Sequence, residues 1–269
     1  MQNLPSGIQT FSDIRQNDYL YIDKTDYIYD LTHTGKVYFL SRPRRFGKSL
    51  LISTLDSYFS GKKELFERLK IAKLEKEWKQ YTVLRIDFGG DDYSLEKNLH
   101  SKFELILSDF EEMYNISRNS DLSYSGRFHK IINAVSKAYN TQVVVLIDEY
   151  DKPILDAMYM PHEEHNRAEL RAFYSVLKSN DENLKFIFLT GITRVPHVNI
   201  FSGLNQIDDI SMSEKYAAIC GITKDYDKNT KLYTLGIPNQ EVRDGFYESL
   251  LPSVSPIKNS DLGMTVEPN

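Results

Sequence analysis

Five consecutive aliphatic residues, Val143-Val144-Val145-Leu146-Ile147, run directly into Asp148-Glu149-Tyr150-Asp151. The run is far short of the about 20 apolar residues a membrane helix needs, so it reads as a strand buried on both faces. Such a strand belongs inside a sheet covered front and back by helices, and its acidic end must emerge where that sheet meets water. Three other segments share the design. Residues 36–40 (KVYFL) end in Ser41-Arg42-Pro43, residues 82–88 (TVLRIDF) in Gly89-Gly90, and residues 184–189 (LKFIFL) in Thr190-Gly191-Ile192-Thr193-Arg194.

Helical spacing of apolar residues separates these strands, predicting helices over 50–59, 94–114, 128–139 and 166–179. A further helix over 20–34 ends at Gly35, where a C-cap glycine fits. A weaker strand at 206–210 and a helix over 213–219 follow. Strands alternating with helices, joined by right-handed crossovers, predict an α/β three-layer sandwich with a central, mostly parallel sheet. Ligands of such sheets sit beyond the carboxyl ends of the strands. Beyond 221 the pattern weakens. Residues 224–230 are polar, 232–237 form a short strand candidate, 241–250 a helix candidate, and from 251 three prolines predict a frayed tail.

With 41% hydrophobic and 26% charged residues, the chain has material for a large core. Lys plus Arg is 33 against 38 Asp plus Glu, a net charge of −5, so no global basic excess marks a nucleic-acid binder. The single cysteine, Cys220, excludes a disulfide framework and a Cys-rich zinc site, and is read as a small buried residue. Residues 1–11 lack the basic and apolar regions of a signal peptide. The expectation is a cytoplasmic chain without a membrane segment.

Gly47-Lys48-Ser49, between a buried strand and an amphipathic helix, matches the end of the phosphate-binding pattern G-x-x-x-x-G-K-[ST], with Arg42 in the place of the first glycine. The candidate phosphate-binding stretch is Arg42-Pro43-Arg44-Arg45-Phe46-Gly47-Lys48-Ser49-Leu50. Gly47 permits close backbone approach, Lys48 bridges β- and γ-phosphates, and the Ser49 hydroxyl ligates Mg²⁺. The helix starting near Lys48 points its amides and dipole at the anion. Asp148 is the second candidate Mg²⁺ ligand, directly or through water. Glu149 is placed to polarise an attacking water. The bland alternative for this pair is a solvated strand end. Thr190, Thr193 and Arg194 are candidate γ-phosphate sensors, or else a turn around Gly191. These residues imply a P-loop NTPase sandwich whose fourth strand lies between the acid-bearing third and the loop-bearing first, with the third strand central.

Other signals are weaker. Glu77-Trp78-Lys79 imitates a nuclease E-x-K but lies in the charged, helix-like stretch 62–80, and reads as a solvated helix face. His162-Glu163-Glu164-His165 has its imidazoles three apart where a zinc helix needs four, and reads as a surface loop after Pro161. Arg42, Arg44 and Arg45 form a basic cluster with Lys48 that a polyphosphate partner explains more economically than nucleic acid.

Together, Tyr21-Ile22-Asp23-Lys24-Thr25, residues 39–50 (FLSRPRRFGKSL), residues 146–153 (LIDEYDKP), Thr190-Gly191-Ile192-Thr193-Arg194 and Phe201-Ser202-Gly203-Leu204-Asn205 resemble the AAA-ATPase-like family of bacteria and archaea. Many of its members carry a C-terminal PD-(D/E)XK nuclease-like domain. The resemblance covers about 5–223, and again 224–252. It implies that Arg42 is native to this form of the loop. It further implies that Lys48 and Ser49 bind phosphate and Mg²⁺, Asp148 holds Mg²⁺, and Glu149 is the catalytic acid. The expected cofactors are ATP and Mg²⁺. The expected partners are the nucleoside triphosphate, further copies of the chain if it oligomerises, and nucleic acid only through a nuclease domain absent here.

Family members usually follow Gly221-Ile222-Thr223 with a helical lid of roughly 100 residues, the size of a small domain. Here Lys224-Asp225-Tyr226-Asp227 resembles the stretch beyond that lid, and residues 231–251 resemble the linker into the nuclease. The expected organisation is an ATPase-like domain over 1–223, a linker remnant over 224–252 and a disordered tail over 253–269. An ATP-binding protein with slow or absent hydrolysis is the leading reading. The alternatives are a non-hydrolysing interaction module of a nuclease-linked defence or mobile-element system, and a nucleic-acid regulator acting through the arginines.

Overall fold

The computed structural model describes residues 2–193 and 207–221, together with the backbone of 226–227 and 232–233. The chain opens with helices α1 (Phe11–Gln16) and α2 (Thr25–Thr34). It continues through β1 (Val37–Ser41), α3 (Lys48–Phe59), α4 (Ile71–Leu74), β2 (Thr82–Asp87), α5 (Lys97–Met113), α6 (Tyr124–Tyr139) and β3 (Val143–Asp148). Then come α7 (Lys152–Leu155), α8 (Glu163–Ser179), β4 (Leu184–Gly191) and β5 (Asp208–Asp209). The five strands make one sheet, ordered β2-β3-β4-β1-β5, and every pairing is parallel.

Period-two alternation sends successive side chains to opposite faces, and both faces are apolar. Ile86, Val145, Ile147, Ile187 and Leu189 pack under α5, α6 and α8. Leu40, Val144, Leu146, Phe186 and Phe188 pack under α1, α2 and α3. The result is the expected α/β sandwich with helices on both faces. β4 lies between β3 and β1, as the sequence implies, but it is β4 and not β3 that stands at the centre. β3 is nonetheless buried at all six positions, because β2 covers its other edge.

Several local expectations are corrected. Residues 19–24 stay outside α2, since the Asp23 carboxylate accepts the Thr25 amide and hydroxyl and starts the helix there. In place of the helix expected over 213–219 there is one 3₁₀ turn, Glu214–Tyr216, following another at Ile210–Met212. The Arg42 guanidinium donates to the Ser211 and Tyr216 carbonyls here, and the Tyr216 carbonyl also accepts the Ile219 amide at 3.1 Å. In the charged stretch 62–80 only Lys63–Phe66 and Ile71–Leu74 coil. Past them the Glu75 carboxylate accepts the amides of Lys76 and Glu77, and Trp78 turns left-handed (φ 45°) to pack its ring on Tyr58 and Phe66. Glu77 and Lys79 therefore flank a docked tryptophan and do not lie on a solvated helix. His162 is buried at the start of α8, a ring nitrogen 3.1 Å from the Tyr93 carbonyl, and not in a surface loop.

Residues 222–269 form a second compact unit. Its described part is the antiparallel pair of β6 (Tyr226–Asp227) and β7 (Leu232–Tyr233). The remainder of the strand expected over 232–237, the helix expected over 241–250, the rest of the linker and the tail lie outside the described residues. No helix among the described residues is long and apolar enough to cross a membrane.

One buried ion cluster joins two helices of the upper layer. Arg127 on α6, 2% exposed, donates through Nε and Nη2 to both oxygens of Glu111 on α5, at 3.0 and 2.7 Å, and through Nη1 to Glu104 at 2.7 Å. Removing the cation alone strands Glu111 in the core. The Arg127→Met variant is therefore expected to lose about 3–5 kcal/mol of unfolding free energy, and Arg127→Met combined with Glu111→Leu to recover most of it. Urea denaturation of the two variants checks this.

Candidate nucleotide site

The carboxyl end of β1 delivers the loop. Ser41 lies beside Gly191 of β4, and the Arg42 amide extends the ladder by donating to the Gly191 carbonyl at 3.1 Å. The chain then turns through residues with left-handed backbone, Arg45 (φ 63°) and Gly47 (φ 80°), straight into α3. Gly47 caps α3 without a side chain, so the first-turn amides keep their donor capacity for something else. Those amides and the helix dipole favour an anion there.

Lys48 is 6% exposed, and its Nζ folds under the loop to donate to the carbonyls of Arg42 (3.0 Å) and Pro43 (2.9 Å). Burial lowers its pKa, and the negative charges of Asp148 and Glu149 partly offset that. Pro43, Arg44, Arg45 and Gly47 are exposed, whereas Phe46, Ser49 and Leu50 are half-buried. Arg42 behaves differently from the other arginines. Its guanidinium donates to the carbonyls of Ser41 (3.0 Å), Ser211 (2.5 Å) and Tyr216 (3.4 Å), so its side chain fastens the loop to the segment after β5.

The acids emerge two strands away. Asp148, 1% exposed, accepts the Thr190 hydroxyl and the Glu149 amide (3.1 Å). Both donors reach Oδ1, which leaves Oδ2 as the lone-pair-rich oxygen suited to a hard cation. Glu149 is half-buried with a left-handed backbone (φ 52°), a costly conformation for a side chain with a Cβ. Burial first, and then the charges of Asp148 and Asp87, raise its pKa above the ordinary carboxylate range.

The β4 end is locked onto the same corner. Tyr150 donates its amide to the Thr190 carbonyl (3.0 Å) and its hydroxyl to the Thr193 carbonyl (3.1 Å). Asp151, fully buried, takes three donors on Oδ2: the amides of Ile192 (2.9 Å) and Thr193 (2.7 Å) and the Thr193 hydroxyl (2.9 Å). Gly191 is required by contact, since a Cβ there would lie 2.3 Å from the Tyr150 ring. Thr190 thus serves Asp148, and Thr193 serves Asp151. Arg194 and the Phe201-Ser202-Gly203-Leu204-Asn205 segment lie outside the described residues.

Tyr150, Asp151 and Ser211 are site-building residues that sequence reasoning assigned no role. Asp151 carried a signal in its place directly after Asp148-Glu149, but its partners lie 41 and 42 residues away. The remaining arrangement fits a Mg²⁺–triphosphate. It offers an uncapped helix start, a buried lysine within its loop, a hydroxyl at Ser49, and two carboxylates whose charges reach that lysine. Elsewhere, a cleft of about 450 Å³ includes Lys36 and Lys215 in its lining, but both are already paired, with Asp181 and Asp30.

Comparison with known proteins identifies the family. A family described as "Predicted AAA-ATPase" matches residues 5–201. A curated relative from Azotobacter chroococcum mcd 1, named "Uncharacterized protein in vnfD 5'region", is 40% identical over 245 residues. That alignment takes in 90% of this chain and 47% of the relative, so the chain spans about half the relative's length. The chain belongs to the AAA-ATPase-like family.

Proposed function

We propose that the chain binds Mg²⁺-ATP between the loop 42–49 and the β3 end, and that its hydrolysis of the γ-phosphate, slow at best, runs through Glu149. The observation that carries this reading is the buried Lys48 ammonium inside an uncapped helix-start loop, within electrostatic reach of Asp148 and Glu149. Lys48 exchanges the Arg42 and Pro43 carbonyls for β- and γ-phosphate oxygens, a charge-assisted replacement that offsets its desolvation. The free amides at the start of α3 hold the phosphate oxygens. Ser49 and Asp148 are the residues that would hold Mg²⁺, which would supply neutralisation of the triphosphate charge.

Glu149 takes a proton from the attacking water as general base. Its raised pKa makes it a stronger base than a solvated glutamate. Asp148 is kept in place by the Thr190 hydroxyl and leaves the proton transfer to its neighbour. Thr193 is held by Asp151 at the strand end; Arg194 is the γ-phosphate sensor of this reading.

Three outcomes test the assignment. Lys48→Ala should weaken ATP binding by about a hundredfold or more, measured by calorimetry, while the unfolding midpoint stays close to that of the parent chain. An unchanged affinity removes the loop from the site. Glu149→Gln should keep ATP affinity within about threefold and slow phosphate release by about 10²–10⁴, the range for losing a general base. The third outcome concerns pH. The working form of Glu149 is the carboxylate and its pKa is raised, so turnover falls on acidification at a pH above the ordinary glutamate value of about 4.3. Asp87→Asn removes one of the charges raising that pKa and should move the acid limb of the kcat profile to lower pH. A limb that stays in place assigns the titration to another group.

A further inference from the structure

Outside the phosphate-facing residues, one cation in this corner has no use in the chemistry above. Lys24, just ahead of α2, is half-buried, and its Nζ donates to the Gly221 carbonyl at 2.5 Å. It carries no carboxylate ion pair among the described residues. Its pKa is lowered by burial above all. A cation held out of water for one carbonyl is an expensive arrangement unless that carbonyl's position matters.

Gly221 is where that position acts. Its amide donates to the Phe46 carbonyl at 2.8 Å, one residue before the Gly47 cap of α3. The Phe46 ring lies against its Cα, so close that a Cβ would come within 2.8 Å of the ring. The preceding residue approaches the same turn, with Cys220 Sγ 3.8 Å from the Gly47 carbonyl. Gly221 therefore accepts from Lys24 through its carbonyl and donates to the loop through its amide, two bonds on either side of one Cα. The coupling is positional: fixing the carbonyl of Gly221 fixes its Cα, and with it the amide that bonds Phe46. The base of Lys24 is itself fixed, because Asp23 accepts the Thr25 amide at 3.0 Å and the Lys70 amide at 2.7 Å.

We infer that Lys24 is a positioning residue for the nucleotide loop, acting through Gly221 to hold Phe46 and Gly47 in the turn that presents the α3 amides and Lys48. The inference rests on the nucleotide-binding reading of that loop. Arg42 fastens the start of the loop to Ser211 and Tyr216, and Lys24 fastens its end through Gly221. A left-handed turn of two residues, Arg45 and Gly47, is thereby held from both sides.

The test uses the full chain with Lys24→Met and Lys24→Arg, both measured well below their unfolding midpoints. In Lys24→Met the Gly221 amide and the amides of 44–49 should exchange their hydrogens about tenfold faster or more, with the β3 amides unchanged. ATP affinity by calorimetry should fall by about tenfold, the size of losing one charge-assisted hydrogen bond. Lys24→Arg, which keeps a cationic donor, should recover most of both effects. Wild-type exchange rates in the loop of Lys24→Met would overturn the inference, as would faster exchange with unchanged ATP affinity. A parent chain that binds no ATP would overturn the nucleotide reading instead. The exchange data would then still decide whether Lys24 holds the loop.

Discussion

The functional edge hangs from the insertion of β4 between β1 and β3. Three strand ends are brought level by that one strand, because Gly191 pairs with Ser41 on one side and Leu189 with Ile147 on the other. The pairing continues past the formal strand ends through Arg42 to Gly191 and Tyr150 to Thr190. Such tight closure demands the absence of a side chain at 191, where Tyr150 fills the space a Cβ would need. Without that fit the loop lysine and the β3 acids would sit on surfaces with no fixed separation, and proximity is most of what a phosphate-handling site supplies.

The corner so formed is dense in charges that folding alone would avoid. Lys48 is nearly excluded from water with only carbonyls as direct partners, and Glu149 is half-buried beside Asp148 and Asp87. Arg127, by contrast, is buried with its full complement of carboxylate oxygens. The difference separates a charge that completes the fold from charges that the proposed nucleotide and its attacking water would engage.

Most of the sandwich was legible in the sequence because period and polarity agree there. The Val143–Asp148 strand shows its two-sided burial as an unbroken apolar run, and Gly47-Lys48-Ser49 shows its place at the turn between strand and helix. The failures share a cause, which is partners distant in sequence. Residues 213–219 have helix-like spacing, yet the chain there makes only the 3₁₀ turn Glu214–Tyr216, with Arg42, 174 residues away, bonding the Tyr216 carbonyl. Trp78 looks like part of a charged helix until Tyr58 and Phe66 claim its ring. Asp151 and Lys24 stood within recognisable motifs, but their bonds to residues 192, 193 and 221 are products of the folded topology.

Glu149 sits at φ 52°, a region that glycine enters freely and asparagine tolerates. A β-carbon there costs roughly 1–3 kcal/mol, which surrounding structure must offset. The bonds of Asp148 to Thr190, and of Tyr150 and Asp151 to 190–193, are close enough along the chain to supply it. Position 149 is thus a point at which folding and chemistry have opposite preferences. A sequence chosen for thermal robustness alone would place glycine there, and with it would surrender the only carboxylate between two tightly bonded neighbours that no hydrogen bond among the described residues ties down.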